Sequence, residues 1–354
     1  MVYRFGEKIE NLLHFTESGM LQNSNGDYHI VSDGILTKKD FSILFENQEK
    51  KMHIPIEVAN TILIYSDIML SSNFLNFASS KKLKLQFYDS YGEYVGAFIP
   101  SRQRRSVKAT LLQSNIYLIE QKRLTLQKKI ISSATRNIKS NVQYYRRRYA
   151  KIELDEKVQK IASCIKLMKE AESVNQLMLI EARMREVYYS CFDMIIMADG
   201  FVFQKRTRRP PRNEINAMIS FGNTILYNYI ASKILNTELD IRISFLHASN
   251  HREQSLNLDL AELFKPVIVD RIIFYLINKH IIISTKHFVH HNDGSVLFNQ
   301  DGKQIFLHTF KNRLQQSITA KGERMTYDKL LTKEIAKLKD HILYDTKYIP
   351  FRYE

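Results

Sequence analysis

Hydrophobic and polar positions follow two different rhythms along the chain. Up to about residue 100, apolar and β-branched residues alternate with polar ones or form short runs, as in HIPIEVANTILIY and KLKLQFYDSYGEYVGAFI, which is typical of strands. From about residue 103 to 195 there is no Gly or Pro, and apolar residues recur at helical spacing. We therefore predict an α+β protein: a small, mostly β N-terminal domain at residues 1–100, then a larger all-α domain at residues 101–354.

Turn and cap residues place several elements more closely. The stretch GMLQNSNGDYHIVSDG predicts a β-hairpin around an Asn/Gly turn, and Tyr91-Gly92 predicts a second turn. SSNFLNFASSK predicts a short helix that begins after a serine. Later helices are predicted to end at Gly200, at the prolines 210 and 211, around Asn236 and near HNDGSVLFNQDGKQ, and a last helix is predicted from about 326 to 341.

Length and composition restrict the class of protein. A chain of 354 residues favours two domains. No window holds 18 apolar residues without charge, and an acid precedes any signal-like run, so we expect no membrane span and no secretion. Cys164 and Cys191 lie in separate apolar helical stretches without CxxC spacing. They are predicted to be buried free thiols, which favours a cytoplasmic protein.

The positive charge is concentrated in one segment. The chain has a net charge of +15; residues 1–100 carry 9 Lys/Arg and 12 Asp/Glu, whereas residues 101–151 carry 14 Lys/Arg and one Glu. A basic excess of this density is the electrostatic footprint expected for a nucleic-acid partner. The alternative is a solvated helix with poor charge balance. A membrane surface is less favoured, because the segment lacks bulky apolar anchors.

Three stretches in the helical part carry candidate chemistry. In IEARMREVYYSCFD, Glu181 and Arg185 lie four apart beside an apolar stripe, which alone indicates no more than an ordinary helical ion pair. In KRTRRPPRNEINAMISFG, arginines flank a rigid Pro-Pro loop before a helix that begins at Asn213 or Asn216. Guanidinium groups match phosphate oxygens bidentately, so this loop is either a phosphate-binding element or a basic surface turn.

The third stretch is LHASNHREQSLNLDLAELFKP. Asp259 and Glu262 lie three apart in a leucine-rich helix, and His247 follows the buried segment SFL. Buried carboxylates without a counter-charge are costly, and a bound cation or Arg252 would relieve that cost. The spacing therefore leaves two hypotheses: part of a metal site whose third ligand lies elsewhere, or a solvated helix face beside a core histidine.

Together, the three stretches resemble the CRISPR-associated protein 1 family, the endonuclease/integrase of the spacer-acquisition complex. The order EAR…YY, then RxRRPP…NAMISFG, then LH(x7)SLNLDLAELFKPVIVDR matches, and IPIEVANTILIY…YVGAFIPS resembles the family's β domain. The similarity covers roughly residues 10–320. Asn223 stands where a tyrosine is frequent, Ile241 and Ser244 replace a Pro-x-x-Gly, and Lys265 replaces an arginine; these departures indicate a sub-branch, of the kind that serves a type I system.

The resemblance implies a set of site residues. Glu181 matches the first acidic metal ligand, His247 the histidine ligand and Glu262 the second acidic ligand, while Asp259 matches a further acidic position of the catalytic set. Two carboxylates and one imidazole suit Mg²⁺ or Mn²⁺, and the histidine would also suit Zn²⁺. The expected contacts to DNA are Arg185, Arg252 and Lys265 near the site, and Arg146, Arg147, Arg206, Arg208, Arg209 and Arg212 along the backbone.

The implied activity is metal-dependent transesterification, in which a DNA 3′-hydroxyl attacks a phosphodiester at the end of a CRISPR repeat. Expected partners are double-stranded and branched DNA, CRISPR-associated protein 2, and a second copy of the chain that contacts the acidic β domain. Two other classes stay open. A standalone metal-dependent nuclease would cleave independently of the repeat, and a non-catalytic DNA-binding scaffold would have the charge without the metal.

Overall fold

Strands make up most of the N-terminal part. In this computed structural model, the described residues are 20–22, 27–48, 51–89, 94–100, 106–247, 254–320 and 322–353. The chain divides into two units, Met1–Gln103 and Arg104–Glu354. The described elements of the first unit are β1 (Met20–Gln22), β2 (Asp27–Ile30), β3 (Gly34–Lys39), β4 (Ser42–Glu46), β5 (Lys51–Pro55), β6 (Thr61–Ile64), β7 (Ile68–Leu70), α1 (Ser72–Ser80), β8 (Lys84–Tyr88) and β9 (Tyr94–Phe98).

These strands form two sheets. One has the order β1-β2-β6-β8-β9, with β2, β6 and β8 parallel to each other and both edge strands antiparallel; the other has the order β5-β4-β3-β7. Apolar side chains of both sheets and of α1 form one hydrophobic core. The β1–β2 pairing confirms the predicted first hairpin, and Ser71 caps α1 as predicted, its hydroxyl accepting from the N–H of Phe74. The predicted turn at 91–92 lies outside the described residues.

Helices dominate the second unit, which confirms the predicted α+β fold class. Its elements are α2 (Val107–Leu118), α3 (Glu120–Tyr149), α4 (Leu154–Glu170), α5 (Val174–Tyr189), α6 (Phe192–Ile195), α7 (Glu214–Ile234), α8 (Leu256–Phe264), α9 (Val269–Asn278), α10 (Ser284–His287), β10 (Phe288–His290), β11 (Val296–Phe298), α11 (Gln300–Gln315), β12 (Ser317–Ala320), β13 (Glu323–Thr326) and α12 (Tyr327–Tyr344).

Helix α3 is the central support of this unit. It is 30 residues long, its middle is buried, and it packs against α4, α5 and α8. Asn213 rather than Asn216 caps α7, since its side chain accepts from the N–H of Asn216. Within the described part of this unit, two hairpins interrupt the helices: β10–β11 lies where the Gly-containing break was predicted, whereas β12–β13 was not anticipated.

One cysteine departs from expectation. Both are free thiols, and Cys191 is buried, but Cys164 is only half-buried. It lies beside the packing face of α4, which is formed by Leu154, Ile161, Ile165 and Met168. Among the described residues, no helix is long and apolar enough to span a membrane.

Candidate active site

Helix α8 carries both acidic residues of the third stretch, and it is buried on every side. All nine of its residues are buried, with Asp259 at 0% and Glu262 at 5% exposure. Helices α3 and α7 pack against it, so none of its faces is exposed to solvent, although its sequence looks amphipathic. The hypothesis of a solvated helix face is therefore wrong. Two buried carboxylates need partners, and the structure provides them.

Asp259 organises the segment that carries His247. Its two oxygens accept the backbone N–H groups of Phe245, Leu246 and His247, at 2.6, 2.9 and 3.1 Å. The imidazole Nδ1 of His247 lies 2.8 Å from Asp259 Oδ1. Because an ionised carboxylate only accepts hydrogen bonds, this contact places a proton on Nδ1 and leaves Nε2 for another partner. Asp259 therefore positions His247.

Glu262 lies among three basic side chains. Lys265 Nζ is 2.6 Å from its Oε1, Arg185 pairs with its Oε2, and His247 Nε2 is 3.9 Å from Oε1. Burial by itself would raise the pKa of the Glu262 carboxyl. The charges of Arg185 and Lys265 outweigh burial and hold that pKa well below its usual range. Glu262 is thus ionised and strongly bound.

Arg185 pairs with both Glu262 and Glu181, the acidic residue of the stretch IEARMREVYYSCFD. On α5, its Nε donates to Glu181 Oε1 at 2.9 Å, while Nη2 pairs with Glu262 on α8. Burial opposes the charge of Arg185, but the two carboxylates raise its pKa well above the usual value. The Glu181–Arg185 pair predicted from the sequence is therefore one half of an ion-pair bridge that joins α5 to α8.

A small polar cavity lies beside this bridge. Arg185, Glu262 and Lys265 line it, together with Asn223, whose Oδ1 is buried and has no hydrogen-bond partner among the described residues. The departure from the family pattern at position 223 therefore falls on the wall of the site. Lys265, another of these departures, is fixed further by the ring of Tyr227, whose centre lies 4.9 Å from its Nζ.

The same cavity reveals two residues that the sequence did not single out. The hydroxyl of Tyr188 donates to Asp270 Oδ2 at 2.5 Å, and both side chains are buried. Burial raises the pKa of Asp270 to about 6, although the Tyr188 hydrogen bond and the charges of Arg185 and Lys265 act to lower it. The sequence feature that could have indicated this pair is Asp270 itself, the single acid in the mostly apolar stretch VIVDRIIF.

The site contains the types of donor atom, carboxylate oxygens and an imidazole nitrogen, that bind divalent cations. Carboxylate oxygens of Glu181 and Glu262 both pair with the guanidinium of Arg185, so a positive charge already lies between them, and the Nε2 of His247 lies 3.9 Å from Glu262 Oε1. Two oxygen donors and one neutral imidazole match the preferences of Mg²⁺ or Mn²⁺. In the described part of the chain, however, no three His, Cys, Asp or Glu side chains approach one point closely enough to hold an ion. The metal set stays a prediction.

The candidate DNA contacts differ in how they are engaged. Arg206 is turned inward, donating to Asn216 Oδ1 at 2.9 Å and to Ser220 Oγ at 3.0 Å. Asn216 also accepts the N–H of Thr207 and donates to the Lys205 carbonyl, so it holds the whole loop. Arg206 thereby stabilises the loop from within, a role that no sequence pattern indicated.

The other arginines lie at or near the surface. Arg146 forms a two-bond pair with Asp155, and Arg212 donates to the carbonyl of Asp293. The side chains of Arg147, Arg208 and Arg209 are exposed. Arg252 lies outside the described residues. The structure therefore brings Glu181, Arg185, His247, Asp259, Glu262 and Lys265 together.

The chain is similar to known proteins over most of its length. A family model described as CRISPR associated protein Cas1 matches residues 28–312. The chain is 40% identical over 326 residues to the CRISPR-associated endonuclease Cas1 2 of Thermodesulfovibrio yellowstonii, covering 91% of this chain and 97% of that protein. It is 35% identical over 317 residues to the CRISPR-associated endonuclease Cas1 of Thermotoga maritima, covering 89% and 96%.

Solved structures show the same fold. A CAS1 protein from Thermotoga maritima superposes with a TM-score of 0.79 at 33% identity, covering 92% of this chain and 99% of that one. A casposase bound to integration product gives a TM-score of 0.79 at 18% identity, covering 91% and 93%. A chain of a Cas6-RT-Cas1–Cas2 complex gives 0.77 at 19% identity and covers 93% of this chain but 36% of that one.

Proposed function

Since this chain belongs to the Cas1 family, we propose that it is a metal-dependent DNA endonuclease/integrase of CRISPR adaptation. The reaction would join the 3′-hydroxyl ends of new spacer DNA to the CRISPR repeat by transesterification. One observation carries the proposal: the Arg185 guanidinium bridges Glu181 and Glu262 from two helices, and His247 Nε2 lies 3.9 Å from Glu262.

Glu181, Glu262 and the Nε2 of His247 would hold the metal. A bound Mg²⁺ or Mn²⁺ would lower the pKa of the attacking hydroxyl and neutralise charge on the phosphate. In the structure both carboxylates are paired with cationic side chains, so the metal would take the place of Arg185 and Lys265 at the oxygens of Glu181 and Glu262.

The chain's own residues would do the remaining work. Asp259 keeps the proton on Nδ1 of His247, so that the lone pair of Nε2 faces Glu262. Arg185 and Lys265 carry the positive charges nearest to Glu262. They would stabilise the negative charge that develops on a phosphate bound at this place, since fixed charges act strongly in a buried site.

We propose DNA, Cas2 and a second copy of the chain as partners. Structures with the same fold include a casposase bound to integration product and a Cas1–Cas2 complex. The basic residues of 101–151 would contact the DNA backbone. The N-terminal unit, with its excess of acidic residues, would instead provide the contact between two copies.

A strand-transfer assay tests the proposal. The purified protein, with and without Cas2, is incubated with Mn²⁺ or Mg²⁺, a short duplex with free 3′-hydroxyls and a plasmid that carries the repeat array. We expect joined products that disappear in Glu181→Gln, His247→Ala and Glu262→Gln. Glu156→Gln is the matched control, since Glu156 lies on the exposed face of α4 in a surface ion pair.

Each other outcome supports a different hypothesis about the function. Metal-dependent nicking without joining would support the standalone nuclease, in which water replaces the 3′-hydroxyl. Binding of DNA without any cleavage, in protein that also binds no Mn²⁺, would support the non-catalytic scaffold. Activity that survives in all three site variants would show that the catalytic residues are elsewhere.

A further inference from the structure

Part of the chain beyond α12 is buried although it forms neither helix nor strand. We call residues 345–353 the C-terminal strap. The side chains of Tyr348 and Phe351 are nearly inaccessible to solvent, and Pro350 between them is also buried. A terminal segment of this kind is usually poorly ordered unless specific contacts hold it. The contacts here lead to the helix that carries Glu262.

Asn137 ties the strap to the end of α8. It lies in the middle of α3, fully buried, and its Nδ2 donates to the Leu263 carbonyl at 2.8 Å and to the Phe351 carbonyl at 3.3 Å. Its Oδ1 accepts the N–H of Tyr353 at 2.7 Å. One amide side chain therefore fixes the residue directly after Glu262 and two residues of the strap at the same time.

A second contact is aromatic. The ring of Phe351 stacks on Phe264, the last residue of α8, with ring centres 5.4 Å apart and planes only 5° from parallel. Tyr353 continues the contact along α9, where its ring lies 4.9 Å from the guanidinium of Arg271. The strap thus covers the end of α8 and reaches the residue next to Asp270.

The other side of the strap is anchored on α12. Glu334, fully buried, accepts the hydroxyl of Tyr348 at 2.7 Å and the N–H of Phe351 at 3.2 Å. Lys337 pairs with Glu334 and donates to the Ile349 carbonyl at 2.9 Å. The strap is therefore held between a rigid helix on one side and α8 on the other.

Helix α8 needs such support. It has only nine residues, and no side chain caps its first N–H groups. Short helices are marginal by themselves and take their stability from packing. We propose that the C-terminal strap is a positioning element of the active site, in which Asn137 and Phe351 fix the end of α8 and thereby the carboxylate of Glu262. This inference rests on the proposed function of Glu262.

The test compares point variants in the full-length protein. Phe351→Ala and Asn137→Ala remove one contact each, and Phe351→Leu retains most of the apolar volume. Phe310→Ala is the control for general loss of core packing, because Phe310 is equally buried but packs on Tyr229. Tyr344→Ala, an exposed residue just before the strap, is the control for the C-terminus.

Two readouts separate positioning from a general structural role. Hydrogen exchange of the α8 amides should speed up at least tenfold more in Phe351→Ala and Asn137→Ala than in Phe310→Ala. The Mn²⁺ concentration for half-saturation, measured by calorimetry, should rise at least tenfold in the same two variants and less in Phe351→Leu. Affinity for duplex DNA should stay within twofold, since the strap residues are not among the expected DNA contacts.

The outcomes also distinguish the two proposals. If exchange in α8 and Mn²⁺ affinity change no more than in Phe310→Ala, the strap is ordinary core and the inference is wrong. If the parent protein binds no Mn²⁺, the proposed function fails, whereas the exchange of α8 still reports whether the strap holds this helix.

Discussion

Asp259 holds the imidazole of His247 by its Nδ1 atom, at 2.8 Å, from a position with no exposure to solvent. The same carboxylate accepts three consecutive backbone N–H groups. This acid, one turn before Glu262, therefore positions the histidine. A carboxylate that orients a histidine in this way also fixes which ring nitrogen is free to bind.

Replacing Asp259 by Asn should impair activity through His247. The amide has one acceptor in place of two, so at least one of the donors around it loses its partner, at a cost of about 1–3 kcal/mol in the free energy of unfolding. We expect strand transfer or nicking to fall about 10–100-fold, with weaker Mn²⁺ binding. Asp340→Asn is the control, since the Asp340 side chain on α12 is 46% exposed. Activity within twofold of the parent would remove Asp259 from the site.

The bridge between Arg185 and Glu262 should be energetically coupled. Breaking a buried ion pair from one side leaves an uncompensated charge and costs about 3–5 kcal/mol. We therefore expect Arg185→Met and Glu262→Gln to be less destabilising together than the sum of the single variants, by about 1–3 kcal/mol. Chemical unfolding of the four proteins at pH 7 measures this.

A surface pair provides the matched cycle. Lys160 and Glu156 on α4 have side chains 54% and 67% exposed, against 20% and 5% for Arg185 and Glu262. Their coupling should be at most about 0.5 kcal/mol. Equal coupling in both cycles would mean that the bridge contributes no more than a solvated pair.

Asp270 should make stability depend on pH. Burial raises the pKa of its carboxyl from 3.8 to about 6, in a pocket that it shares with Tyr188, Arg185, Lys265 and Glu262. Between pH 4 and 6 the unfolded chain releases this proton while the folded protein keeps it. The stabilisation is therefore complete below pH 4 and is lost as the pH rises to 6, by about 3 kcal/mol.

The variant Asp270→Asn isolates this effect because its oxygen still accepts the Tyr188 hydroxyl. Its unfolding free energy relative to the parent should increase by about 3 kcal/mol from pH 4 to pH 7. Chemical unfolding at four pH values measures the difference, and the surface variant Asp340→Asn supplies the baseline. A difference that does not vary with pH would show that Asp270 titrates at its ordinary pKa.

The sequence predicted the fold where local signals were strong. The alternation of apolar and polar residues in the first hundred positions predicted strands. The absence of Gly and Pro from 103 to 195 predicted helices. The hairpin β12–β13 was missed because most of its residues are exposed or half-exposed, so SITAKGERMT shows no hydrophobic alternation. Gly322, at φ +78°, was the one local signal for its turn.

The site was predicted less completely. The resemblance supplied Glu181, His247 and Glu262, and membership of the family is now shown. The bridge from Arg185 to Glu262 spans 77 positions, and the contact from Tyr188 to Asp270 spans 82. No periodicity reports such pairs, because they depend on how helices pack. The same reason hid the inward role of Arg206.

Arginines of the basic segment and of the Pro-Pro loop should divide into two groups when DNA binding is measured. Arg147 and Arg208 have exposed side chains, whereas Arg206 is held by Asn216 and Ser220. Arg147→Ala and Arg208→Ala should each lower the slope of log affinity against log salt by about 1, since each removes one phosphate contact. Arg206→Ala should instead destabilise the fold by about 1–3 kcal/mol, because it removes the hydrogen bonds of a charged group to Asn216 and Ser220. Fluorescence anisotropy at several salt concentrations and thermal unfolding separate the effects, with Lys81→Ala on the acidic N-terminal unit as the control. Unchanged slopes for both exposed arginines would mean that DNA follows another path across the protein.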